Sequence, residues 1–172
     1  MIEQQEIKAA FCKGLEAFVL DYNKIENLIL VISGYVEPLN DLINKVLDML
    51  NDNNDSLFSV KCTYSDNNDV ILITANNISE SVTLATIKRD NTGAFREFRH
   101  ISSTDSITVN NSEDIKKALF RMLEVPALMS ILFKLICQSS TREFNNLNDD
   151  EKHGFKIWKA PEAIEYLKSA EA

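Results

Sequence analysis

The chain has 172 residues, 45% of them hydrophobic and 26% charged, and a formal net charge of −8. That length and balance predict one soluble globular domain spanning 1–172, with room for a sizeable core, and four glycines and three prolines argue against a loop-dominated or disordered chain. A pI near 4.8 speaks against a free-standing nucleic-acid binder, which normally presents a net basic face.

Residues 1–55 read as helical. The first residues, Met1 to Glu6, are acidic and polar, unlike a secretory signal or transit peptide. Ile7, Phe11, Leu15, Phe18 and Tyr22 then recur every three or four residues, the period of an amphipathic helix. Ile25–Ile32 is apolar throughout its middle and fits either a buried helix or a short strand. Gly34 is expected to break the pattern. Pro38 is expected to open a new helix whose stripe is Leu39, Leu42, Ile43, Val46, Leu47 and Leu50, ended by the polar run 51–55.

Over 57–110 the period falls to two. Phe58, Val60, Cys62 and Tyr64 alternate with polar residues and predict a half-buried strand, with Val70–Ala75 returning beside it. Ser81–Arg89 and Ala94–Ile101 predict a second hairpin closed by Asp90-Asn91-Thr92-Gly93, and Ser106–Val109 a short fifth strand. Asparagines cluster between these segments, where their tolerance of turn geometry suits them to punctuate elements.

Helix returns over 111–170. Asn111 followed by Glu113 and Asp114 is an N-terminal capping pattern, with Ile115, Leu119, Met122 and Leu123 as the apolar face. Pro126 starts a helix that is apolar nearly all round, suited to the centre of a core or to a dimer interface. Residues 139–153 read as a polar loop, and Pro161 as the start of a closing helix. The fold class is therefore α+β: N-terminal helices, a four- to five-stranded antiparallel meander, and C-terminal helices packed on one sheet face. No stretch approaches the ~20 apolar residues of a membrane span.

Few patterns carry chemistry. Cys12, Cys62 and Cys137 are odd in number, match no paired metal motif and read as buried, inert thiols of a reducing cytoplasm. The four glycines stand apart, so no phosphate loop exists. Asp149, Asp150, Glu151 and His153 could offer ligands to a divalent metal in a hydrolase. No second histidine or cysteine stands at ligand spacing nearby, so neither metal nor cofactor is expected.

Charge placement is the stronger signal. Residues 1–77 hold five lysines, no arginine and twelve acids; residues 78–172 hold thirteen Lys/Arg and fourteen acids. Glu37, Asp41, Asp48, Asp52 and Asp55 would form one carboxylate stripe if the helix persists that far, a candidate dock for a basic protein partner. The alternative is the solvated side of an amphipathic helix. Lys88, Arg89, Arg96 and Arg99 crowd one hairpin and could touch phosphates, although cross-strand pairing with Asp90 and Glu97 would occupy them equally well.

The functional expectation is a non-enzymatic, cytoplasmic protein-binding module: an acidic neutraliser, inhibitor or chaperone of immunity, antitoxin or anti-defence type. Its partner would be a protein with a basic surface, and a homodimer is a further option. Richness in Asn, Ile and Lys fits the AT-rich coding of many phages and bacteria. The rival readings are a nucleic-acid-associated protein using the arginine hairpin, and the metal-dependent hydrolase.

Overall fold

The computed structural model describes residues 3–51, 60–67, 70–140 and 142–170. Helix α1 runs unbroken from Gln4 to Leu50. The undecided Ile25–Ile32 segment is helix, Gly34 makes no break, and Pro38 lies inside the helix instead of opening one. The energetics explain the difference. Gly costs a helix about 1 kcal/mol relative to Ala, and an interior proline about 3 kcal/mol. Both residues are exposed, so the carbonyl of Gly34, which Pro38 cannot serve with an N–H, sits on a turn open to water. Against this, Ile32, Val36, Leu39, Ile43, Val46 and Leu50 are buried along one stripe, each contributing roughly 1.5–3 kcal/mol. Burial overrides the two breakers.

Strands β1 (Lys61–Asp66), β2 (Val70–Asn76), β3 (Ser81–Arg89), β4 (Phe95–His100) and β5 (Ile107–Thr108) form one antiparallel sheet in chain order, a meander. Phe58, expected at the start of β1, lies outside the described residues. Cys62, Ile71, Ile73, Ala75, Ile87 and Phe98 are buried and share the face that meets the helices. Lys61, Ser65, Ser81, Lys88, Glu97 and Arg99 lie on the opposite, solvated face. This is the division an antiparallel sheet allows when only one side is covered.

Asparagine closes several of the joints. The Val70 N–H donates to Asn67 Oδ1 at 2.8 Å, and the Ser79 and Glu80 N–H groups donate to Asn77 Oδ1 at 2.9 and 2.8 Å. Gly93, with φ of 84°, supplies the left-handed residue of the β3–β4 turn. The outer edge of β1 is sealed by Asn40 of α1. Its Nδ2 donates to the Cys62 carbonyl at 2.9 Å, and the Cys62 N–H donates to its Oδ1 at 2.7 Å. The side-chain amide thus pairs with an edge strand as a neighbouring peptide would, which covers an edge otherwise open to other chains.

Helix α2 (Ser112–Leu123) is capped by Asn111, whose side chain accepts from the Asp114 N–H at 2.9 Å. Helix α3 (Pro126–Ser140) buries Leu128, Leu132, Leu135 and Ile136. The expected polar loop at 139–153 is mostly helical: α3 persists to Ser140, α4 covers Arg142–Asn145, and α5 runs from Asp149 to Ala170 with Pro161 in its interior. The polar composition conceals a packed seam. Phe144 is fully buried and its ring lies 5.3 Å from that of Phe155. Asn148 starts α5 by accepting from the Glu151 N–H and donating to the Glu151 carboxylate, both at 2.9 Å. Pro161, like Pro38, sits on an exposed turn.

Candidate partner-binding site

The carboxylate stripe exists on α1. Glu37, Asp41 and Asp48 are separated by four and seven residues on a continuous helix and are all exposed, on the side away from the buried stripe. None forms an ion pair among the described residues. Helix α1 ends at Leu50 with Asn51 as its C-cap; Asp52 and Asp55 lie outside the described residues. Lys45 projects from the same exposed side and interrupts the negative field.

The arginine hairpin does not present its cations as one patch. Between Lys88 and Arg89, β4 advances from Glu97 to Phe95, so Arg96 is an extra, bulged residue. Strict alternation would place Phe95 with Glu97 and Arg99; the bulge turns it toward the buried face, against Arg89. The Arg89 guanidinium lies 4.2 Å from the Phe95 ring centroid and pairs with both oxygens of Asp21 at 3.1 and 3.3 Å. Arg96 reaches Asp90 at 3.8 Å, and Arg99 Nε donates to the Ser103 carbonyl at 3.0 Å. Lys88 and Arg99 lie on the outer face, away from Arg89. Asp90 also accepts from the Thr92 hydroxyl and backbone, which holds its carboxyl below the ordinary carboxylate range.

The acids of the metal reading start α5. Asp149, Asp150 and Glu151 occupy its first turn, where they meet the positive end of the helix dipole. Among the described residues no three His, Cys, Asp or Glu side chains gather as a metal-binding group. Two of the thiols are buried as expected. Burial pushes Cys62 and Cys137 up to about 12, far from the thiolate form. Cys12 departs from the expectation: it stands exposed on α1.

The feature that charge patterns did not reveal is an apolar groove of about 530 Å³ between α1, α3 and α5. Its walls are Leu39, Ile43 and Val46 on α1, Phe133 and Ile136 on α3, and Ile157, Ala163 and Ile164 on α5. Ser130, His153 and Lys156 are its polar lining residues. A second hollow of about 340 Å³ shares Leu39, Leu42 and Leu123 with it and is walled by Tyr35 and Phe120, whose rings meet edge-on at 6.2 Å. Burial also raises the Tyr35 hydroxyl. Trp158, 65% exposed, stands on α5 beside the groove-lining Ile157. No pattern in the sequence of α5 announces the groove, because its apolar residues are mixed with charged ones and only the packing of three helices brings the walls together.

A third feature is the N-terminal part of α1. Every residue from Glu3 to Leu20 is exposed, including Phe11 at 68% and Phe18 at 66%. The chain matches no protein-family model, no curated protein and no solved structure. Among the described residues no helix is long and apolar enough to cross a membrane.

Proposed function

We propose that the protein acts by binding a protein partner, as a neutraliser, inhibitor or chaperone, and not by catalysis. The observation that carries this reading is the open apolar groove, one wall of which is the buried stripe of α1. Glu37, Asp41 and Asp48 lie on the opposite side of that helix and act on an approaching partner at range. Monomeric proteins rarely leave large contiguous apolar surface exposed unless it serves a contact. A suitable partner presents an apolar or amphipathic segment flanked by lysine and arginine. The carboxylates steer it and accelerate encounter; the groove then buries its anchors, as amphipathic helices are held in other apolar grooves. The three acids act mainly on the association rate, and Ile157 and Ile164 on the lifetime of the complex.

The test starts with a pulldown from source cells at low and high salt, read by mass spectrometry, to name the partner. Association is then measured with the triple variant Glu37→Lys, Asp41→Lys, Asp48→Lys, and dissociation with Ile164→Asp. The expected result is at least a roughly tenfold slower association at low salt for the first, and faster dissociation for the second. An unchanged association rate removes the steering role, and an unchanged dissociation rate removes the groove.

A further inference from the structure

We infer that the exposed N-terminal arm of α1 pairs with the same arm of a second copy, as an antiparallel two-helix coiled coil. The arm from Gln4 to Leu20 spans ~25 Å, and its large apolar side chains are exposed, with no cover among the described residues. A lone helix of this length is marginal in water, and its aromatic stripe gains nothing there without a partner.

The spacing identifies the kind of partner. From Phe11 to Leu50, steps of four and three residues land on an apolar side chain every time, the a/d seam of a coiled coil. The body covers the seam from Ile32 onward. From Phe11 to Tyr22 the arm is the same seam with its other half missing. Toward the N-terminus the seam positions become Lys8 and Gln4, so the apolar pairing is centred on Phe11, Leu15, Phe18 and Tyr22.

A second copy completes it. With a two-fold axis between Glu16 and Ala17, Phe11 faces Tyr22 of the second copy and Leu15 faces its Phe18. The flanking pairs are Cys12 with Val19 and Gly14 with Asp21, so no like charges meet. A parallel, in-register pair would instead set Asp21 against Glu26 of the second copy, two carboxylates.

Gly14 gains a reason in the antiparallel pair. In the single chain it costs about 1 kcal/mol of helix stability relative to Ala, and a Cβ there would meet nothing within 4 Å beyond its own helix. In the pair it faces Asp21 of the second copy. Asp21 there holds Arg89, stacked in turn on Phe95, so the hairpin tip crowds that flank. A residue without a side chain allows the two backbones to approach at that point.

The area suffices. Ile7, Phe11, Leu15, Phe18, Val19 and Tyr22 are each at least half exposed. At roughly 150–200 Å² per large side chain they offer about 500–700 Å² per copy. Two copies therefore bury about 1,000–1,400 Å², which reaches the range of specific protein interfaces.

Sedimentation equilibrium of the full chain tests the association, and the expected mass is twice the 19.5 kDa of one chain. Phe11→Asp combined with Phe18→Asp is expected to return it to a single-chain mass, with Cys62 and Cys137 still unreactive as the sign of a folded body. Orientation is read in a Cys12→Ser background by mixing Phe11→Cys and Tyr22→Cys chains under mild oxidation. The antiparallel pair yields the mixed disulfide. Neither variant should cross-link alone, because like positions then lie ~16 Å apart along the axis, beyond the ~7 Å reach of a disulfide. A chain that stays monomeric overturns the inference and leaves the arm to a different protein. A dimer indifferent to the two aspartates, or self-linked Phe11→Cys chains, overturns it as well.

Discussion

Asn40→Ala should destabilise the fold out of proportion to its size. The side chain is half-buried and makes two hydrogen bonds, of 2.9 and 2.7 Å, to the carbonyl and N–H of Cys62 on the edge strand. Truncation leaves both backbone groups unpaired beneath α1. A buried group stranded in this way costs about 1–3 kcal/mol. Partial access of water lowers the sum to an expected loss of about 2–4 kcal/mol, a large share of the 5–15 kcal/mol typical of a domain. For a chain of this size the midpoint of thermal unfolding should fall by roughly 5–12 °C. Urea unfolding followed by far-UV circular dichroism measures the loss directly, with an unchanged slope expected. Asn40→Asp is the informative companion: it keeps an acceptor for the N–H but sets a carboxylate against the carbonyl, so it should rescue little. A loss below about 0.5 kcal/mol for Asn40→Ala, within the scatter of ordinary surface changes, would refute the idea that this amide seals the sheet edge.

The remaining predictions concern the thiols, the alkaline limit and the tight turn. Native protein treated briefly with iodoacetamide should be alkylated at Cys12, while Cys62 and Cys137 react only after unfolding; peptide mass spectrometry reads the difference. Both buried thiols are raised from 9.0 to about 12 by burial, so the folded state favours their protonated form. Their contribution is complete below pH 9 and is lost as pH rises toward 12; stability that stays flat over that window would contradict it. Gly93→Ala must adopt φ of 84°, and a Cβ at positive φ costs about 1–2 kcal/mol. Equilibrium unfolding should show that loss even though the site is open, with nothing within 4 Å of the added carbon.

The sheet was legible because period-two patterning and turn chemistry agree from Val60 to Thr108, and because asparagine and glycine stand where the backbone needs them. The helices were legible in kind but not in extent. Gly34, Pro38 and Pro161 read as boundaries by local propensity and 139–153 as a loop, yet a few kcal/mol of propensity yields to a long buried stripe or an aromatic seam such as Phe144–Phe155. The face of Phe95 could not be read, because alternation presumes an unbroken ladder and the bulge at Arg96 breaks it. The acidic stripe was visible as spacing. The arm was visible as amphipathicity, but periodicity says only that a face is apolar, not whether the same chain covers it. The groove required the packing of three helices and was not legible in the sequence.

Continuity of α1 through Gly34 and Pro38 has a mechanical meaning. Arm, groove wall and carboxylate stripe are stations on one rod, so their spacing and azimuth are locked to the helical repeat. Inserting a single residue between Tyr22 and Leu28 would swing the arm by ~100° about the rod and advance it ~1.5 Å, whereas inserting four would nearly restore its heading. Whatever the arm holds is thereby presented to the groove at one orientation, set by the phase of the helix and not by a linker.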